Sequence, residues 1–192
     1  MNGLILKESS RGIDCYTPES RLLQERMLFF TEEVNPDSSN RLIEYLLFLD
    51  KDDPGKEITL CINSPGGEVV SGLAAYDTMR MLKSPIRTVC IGTAASMAAI
   101  LFLGGTRREM LPHTKLMIHD PLISGLSEPK MALQLRKQAD QLMETREITG
   151  GIISERSGLS KKKVYEMTAE DCFLKAEKAV ELGLATGIVT EL

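Results

Sequence analysis

Ile58-Thr-Leu-Cys-Ile-Asn-Ser-Pro-Gly-Gly-Glu-Val-Val-Ser-Gly-Leu-Ala-Ala-Tyr76 decides the fold class. Its first five residues are apolar or β-branched, which suits a buried strand. Asn63 to Gly67 is a turn, since Pro fixes one dihedral and two glycines permit positive φ. Glu68 to Lys83 then carries Val69, Leu73 and Tyr76 at helical spacing, and Ser84-Pro85 stops it. The same order recurs directly downstream: strand Arg87–Ile91, small-residue turn Gly92–Ala95, and an apolar helix Ser96–Leu103. A third strand is predicted over Lys115–His119. Strands alternating with helices predict an α/β protein with a parallel sheet.

Outward from this centre the pattern is looser. Upstream, a short strand is predicted near Met27–Phe30 and a helix over Arg41–Leu49, preceded by the turn Asn35-Pro-Asp-Ser38. Downstream of Pro121, Ser127-Glu-Pro129 reads as a helix start with Pro in its first turn. The charged stretch from there to about Glu155 is too long and too polar on most faces for a core element, so it is expected to project and pack on a neighbour. A short helix follows Ser160, and another runs from Lys175 to Leu182 with Gly183 closing it. The 192 residues are read as one domain.

Bulk properties exclude several classes. Hydrophobic residues at 43% and charged residues at 26% suit a chain with a packed core. The net charge of −4 and the scatter of Lys and Arg leave no basic stripe for nucleic acid. No apolar run reaches the roughly 18 residues of a membrane span. Met1–Leu6 lacks the basic leader and cleavage site of a signal peptide. Cys15, Cys61, Cys90 and Cys172 show no ligand spacing, so no metal site is expected, and a reducing compartment is the simpler reading.

Four features carry possible chemistry. Ser96 stands at a strand-to-helix corner between Ala94 and Ala98, where a nucleophile would gain exposure and the helix dipole. A serine there is more often a helix cap, and the G-x-S-x-G elbow is absent. His119 ends a strand, the edge where parallel α/β sheets gather function, although a lone strand-end histidine is commonly structural. Asp120 is a poor partner for it, because adjacent strand residues point to opposite faces. Asp171 is one acid among many. Ser64-Pro-Gly-Gly67 offers bare backbone N–H groups of the kind found in oxyanion holes, or simply a tight turn.

Taken together, Ile62-Asn-Ser-Pro-Gly-Gly67, Ala74-Ala-Tyr-Asp-Thr-Met79, Ile91-Gly-Thr-Ala-Ala-Ser-Met97, Met117-Ile-His-Asp-Pro-Leu122 and Ala179-Val-Glu-Leu-Gly-Leu184 resemble the proteolytic subunit of the Clp protease. The match runs in order over nearly the whole chain. The resemblance implies a Clp/crotonase spiral of ββα units with a long handle helix, an axial segment over about residues 1–20 and a handle region over about 123–155. It places the nucleophile on Ser96, the base on His119, the acid on Asp171, and the oxyanion donors on the N–H groups of Gly67 and Met97. It implies seven-membered rings stacked in pairs, an AAA+ unfoldase that supplies unfolded protein substrates, cytoplasmic location, and neither metal nor cofactor on this subunit.

Departures from the family point to a divergent paralogue. Thr59 and Cys61 stand where aromatic residues usually help receive the unfoldase. Ile123–Pro129 replaces a glycine-rich strand, Ala169-Glu170 replaces an Asp-Arg pair, and Ala98 replaces a glycine. A structural subunit of a mixed Clp ring is therefore an alternative. A crotonase-type acyl-CoA enzyme is another, although it would have no use for a Ser-His-Asp set. A membrane-associated relative of the signal-peptide peptidase type is disfavoured by the lack of an apolar span.

Overall fold

A computed structural model describes residues 3–9, 12–122 and 131–190. β1 (Ile5–Ser9) and β2 (Gly12–Tyr16) pair as an antiparallel hairpin whose described side chains are largely exposed. α1 (Pro18–Gln24) follows, its end closed by a capping box between Thr17 and Ser20. After β3 (Met27–Phe30) comes α2 (Pro36–Asp52), which begins five residues earlier than Arg41. The stretch Asn35–Ser38 is itself the helix start: Asn35 accepts from the Ser38 N–H at 2.9 Å, and Pro36 occupies the first turn, where it has no N–H to satisfy.

The repeated strand–helix units are β4 (Ile58–Ser64) with α3 (Val69–Met81), and β5 (Ile86–Ala95) with α4 (Met97–Leu103). Then come β6 (Arg107–Met110), β7 (Lys115–Ile118), α5 (Ala132–Ser157), α6 (Lys161–Thr168), β8 (Cys172–Lys175), α7 (Ala176–Glu181) and β9 (Gly187–Ile188). The order β3-β4-β5-β6-β9 is parallel throughout, with β7 parallel to β5 and β8 antiparallel to β7. The fold is thus α/β around a parallel sheet.

β5 differs from its sequence reading in a way that shapes the site. Gly92–Ala95 is strand, not turn, because β7 supplies a ladder partner there: Thr93 lies opposite Lys115 and Ala95 opposite Met117. β6 covers only Arg87–Cys90. On the other edge of β5 the β4 ladder shifts register between Ile62 and Ser64, and the Asn63 side chain fills that break, accepting from the Thr93 N–H at 3.0 Å. A β-carbon at Gly92 would sit 2.3 Å from that amide oxygen, so a larger residue there would displace the Asn63 side chain.

The core runs along both faces of β4 and β5. Leu46, Ile58, Leu60, Ile62, Leu101, Phe102 and Leu103 have at most 0% exposure, each contributing about 1.5–3 kcal/mol by leaving water. All of α4 is buried, as its uniformly apolar sequence requires. α5 is the opposite: along it only Thr149, Gly150 and Ile153 are buried, and its first turns are exposed. The segment Ile123–Pro129 lies outside the described residues.

Candidate active site

The strand–turn–helix sequence around Ser96 forces an unusual backbone. Ser96 has φ 53° and ψ −121°, and Arg26 is the only other described non-glycine residue with positive φ. Its N–H donates to Met117 O at 2.9 Å, so the end of β7 pins the corner. Its hydroxyl caps nothing in α4. That removes the helix-cap reading, because the Oγ is turned away from the helix towards His119 Nε2, 2.7 Å distant.

His119 follows β7, and its Nδ1 faces Asp171 Oδ1 at 3.3 Å. Register explains this meeting. In the antiparallel ladder Met117 lies opposite Phe173 and Ile118 opposite Cys172, so the next step sets His119 beside Asp171. The imidazole is largely enclosed, with 14% of its side chain exposed, whereas the Asp171 side chain is 61% exposed. Asp120 points elsewhere, accepting from Arg146 Nε at 2.5 Å and from the Thr168 hydroxyl.

The Ser64–Gly67 loop approaches the serine corner closely. Ser64 Oγ donates to Glu32 O at 2.6 Å, and the Gly66 N–H donates back to Ser64 Oγ at 3.2 Å. Val34 brackets the loop, donating to Gly66 O and accepting from the Glu68 N–H, each at 2.8 Å. Gly66, with φ 94°, packs so tightly that a β-carbon would lie 2.5 Å from Ala95 O and 2.8 Å from Ser96 Cβ. At Gly67, with φ 147°, a β-carbon would lie 2.2 Å from Val34 O. Among the described residues the Gly67 and Met97 N–H groups donate to no backbone carbonyl, which leaves both for a ligand.

Beside Ser96 and His119 lies a small apolar pocket lined by Val69, Met97, Ile100, Ile118, Pro121, Thr149 and Ile153. Its walls come from separate elements, so nothing local in the sequence announces it. Gly72 lets α3 close over Met97, since a β-carbon there would meet Met97 Cγ at 2.3 Å. The arrangement is a hydroxyl against an imidazole and an imidazole against a carboxylate, with Met97 lining the cleft beside them. This is the layout of acyl transfer through a serine nucleophile.

Other groups are placed away from this chemistry. His113 is exposed in its turn. Cys61 and Cys90 are buried and form no disulfide, the Cys90 thiol donates to Lys115 O at 3.7 Å, and burial pushes the Cys61 thiol up to about 11. Among the described residues no group of three or more His, Cys, Asp and Glu side chains could hold a metal. None of the described helices is long and apolar enough to cross a membrane.

Comparison with known proteins gives one answer. The sequence profile described as Clp protease matches residues 10–192. The ATP-dependent Clp protease proteolytic subunit 2 of Parasynechococcus marenigrum (strain WH8102) is 40% identical over 188 residues, spanning 97% of this chain and 94% of that protein. Proteolytic subunit 1 of Synechococcus sp. (strain CC9902) is 39% identical with the same coverage. Proteolytic subunit 1 of Prochlorococcus marinus (strain NATL2A) is 40% identical over 187 residues, covering 96% of this chain and 94% of its own length.

Proposed function

The chain belongs to the Clp protease family, and from that premise we propose that it is a serine endopeptidase subunit of an ATP-dependent Clp protease, with Ser96, His119 and Asp171 as its catalytic residues. The observation that carries the assignment is the 2.7 Å contact between Ser96 Oγ and His119 Nε2, made by a strained serine whose hydroxyl serves no cap. Backbone strain of this kind persists where the surroundings over-determine it, and functional sites are where it collects.

His119 takes the hydroxyl proton as Ser96 Oγ attacks the scissile carbonyl of a peptide. The N–H groups of Gly67 and Met97 donate to the oxyanion that develops. His119 then gives its proton to the leaving amine, and water hydrolyses the acyl-enzyme by the reverse sequence. Asp171 holds the imidazole tautomer and offsets its charge. No step asks for a metal or a nucleotide on this subunit.

Assembly follows the family reading: seven-membered rings of Clp proteolytic subunits in the cytoplasm, fed with unfolded proteins by an AAA+ unfoldase. The β1–β2 hairpin falls within the axial segment of about residues 1–20, and α5 falls largely within the handle region of about 123–155. A second reading, a structural or weakly active subunit of a mixed ring, draws on two observations. Cys61 is wholly buried where the family has an aromatic docking residue, and exposed Glu170 stands where the family has arginine. A fluorogenic peptide assay separates the two readings, run with the chain alone and with a second Clp subunit whose own serine is replaced by alanine. Hydrolysis that is lost on Ser96→Ala supports the peptidase; equal rates with and without the Ser96 hydroxyl support the structural subunit.

A further inference from the structure

The geometry points to Asp120, Arg146 and Thr168 as a clamp that positions Asp171 against His119, an inference that rests on the catalytic assignment proposed above. The segment carrying Asp171 is short and lightly held. α6 ends at Thr168, β8 begins at Cys172, and Ala169, Glu170 and Asp171 span the gap, all three exposed. The His119–Asp171 contact does not secure the span: at 3.3 Å it is longer than a tight charge-assisted hydrogen bond, and the carboxylate is mostly solvated. An ion pair this open to water holds its partners only weakly.

Both ends of the gap are anchored instead to β7 and the residues that follow it. On the far side the Ile118–Cys172 pairing holds β8. On the near side everything converges on Asp120. Its N–H donates to Thr168 O at 2.7 Å, and its carboxylate accepts from the Thr168 hydroxyl and, at 2.5 Å, from Arg146 Nε. Thr168 is 3% exposed and the Asp120 side chain 31%, so this bond is partly buried.

Arg146 extends the clamp to α5 and α6. Its guanidinium lies 3.9 Å from the centroid of the Tyr165 ring, one turn before Thr168. Tyr165 in turn fits over Gly150 of α5, where a β-carbon would meet the ring at 2.5 Å. His119 and Asp120 are consecutive, so one residue presents the imidazole to Ser96 while its neighbour, on the other face, fixes the start of the Asp171 span. Asp120 touches no reacting atom; it is a positioning residue, and so are Arg146 and Thr168.

The test uses the chain in its active assembly, with a serine-deficient companion subunit where one is needed. Asp120→Ala is expected to lower kcat roughly 10- to 100-fold with KM within about twofold, the signature of a misplaced catalytic group and not of weaker binding. Asp120→Asn, which keeps an acceptor for Thr168, should recover part of that loss. Fluorophosphonate labelling of Ser96 should slow in parallel, while sedimentation stays unchanged. If Asp120→Ala does not fold, Thr168→Val and Arg146→Gln decide, and each is expected to lower kcat selectively. Parent-like kcat in the folded variants overturns the clamp while parent labelling at Ser96 leaves the catalytic assignment standing. Failure of the parent to label at Ser96 overturns both.

Discussion

A β-carbon at φ 53°, ψ −121° is costly, and Ser96 holds that conformation because Met117 O, the Gly66 approach and α4 leave it no other. Comparing two variants that both lack the hydroxyl isolates the strain. Ser96→Gly should be more stable than Ser96→Ala by on the order of 1 kcal/mol in urea unfolding, while both lose peptidase activity. Equal stability would mean that the corner is unstrained. Gly66 is the complementary case. Gly66→Ala places a β-carbon 2.5 Å from Ala95 O at φ 94°, so it should cost at least ~1 kcal/mol and depress kcat by displacing the serine corner. A Gly66→Ala protein with parent kcat and parent urea midpoint would show that the loop and the corner are not coupled. Of the proposed catalytic set, Ser96 and His119 were visible in sequence as residues at strand ends. Asp171 was reached only through the family resemblance, because its partner is set by the β7–β8 register, a pairing between residues about fifty positions apart that leaves no local mark.

At the scale of elements, the repeated strand–helix units were legible because β4 and β5 are largely buried and their centres, Leu60–Ile62 and Val89–Ile91, read as apolar runs. β6 was not, since Arg107-Arg-Glu109 breaks any apolar pattern. Arg108 is nonetheless buried, donating from its guanidinium to the Leu184, Gly183 and Arg156 carbonyls near helix ends. β8 and β9 are too short for periodicity to register. The junction of α2 with β5 makes a pH prediction. Asp50 Oδ1 accepts from the Ser84 N–H at 2.7 Å, and that bond holds its carboxyl below the usual carboxylate range. A depressed folded pKa means that this contribution is complete above the unfolded value of about 3.9 and is lost as pH falls through the lower folded value. Urea unfolding between pH 6 and pH 2 (a range of about four units around that value) should show a smaller acid loss in Asp50→Asn than in the parent. An identical loss in both would remove Asp50 from the account.

On the scale of the whole molecule, α5 carries Leu133, Leu135, Met143 and Ile148 exposed on a helix otherwise rich in charge. Such apolar surface is expected to be covered in an assembly. Leu133→Glu with Leu135→Glu should therefore shift sedimentation towards smaller species while leaving the unfolding midpoint of the dissociated chain unchanged; an unaltered assembly would show that this helix is not at an interface. The departures at Cys61 and Glu170 bear on the proposed docking of an unfoldase and on the proposed contact between rings. The cleft around Ser96 is where the central claim is tested. Incubation of the assembled protein with a fluorophosphonate, followed by peptide mass spectrometry, should place one adduct on Ser96, with His119→Ala slowing its formation by roughly 1,000-fold or more. An adduct on another residue, or labelling of Ser96 at the same rate without His119, would contradict the assignment of this chain as a serine peptidase.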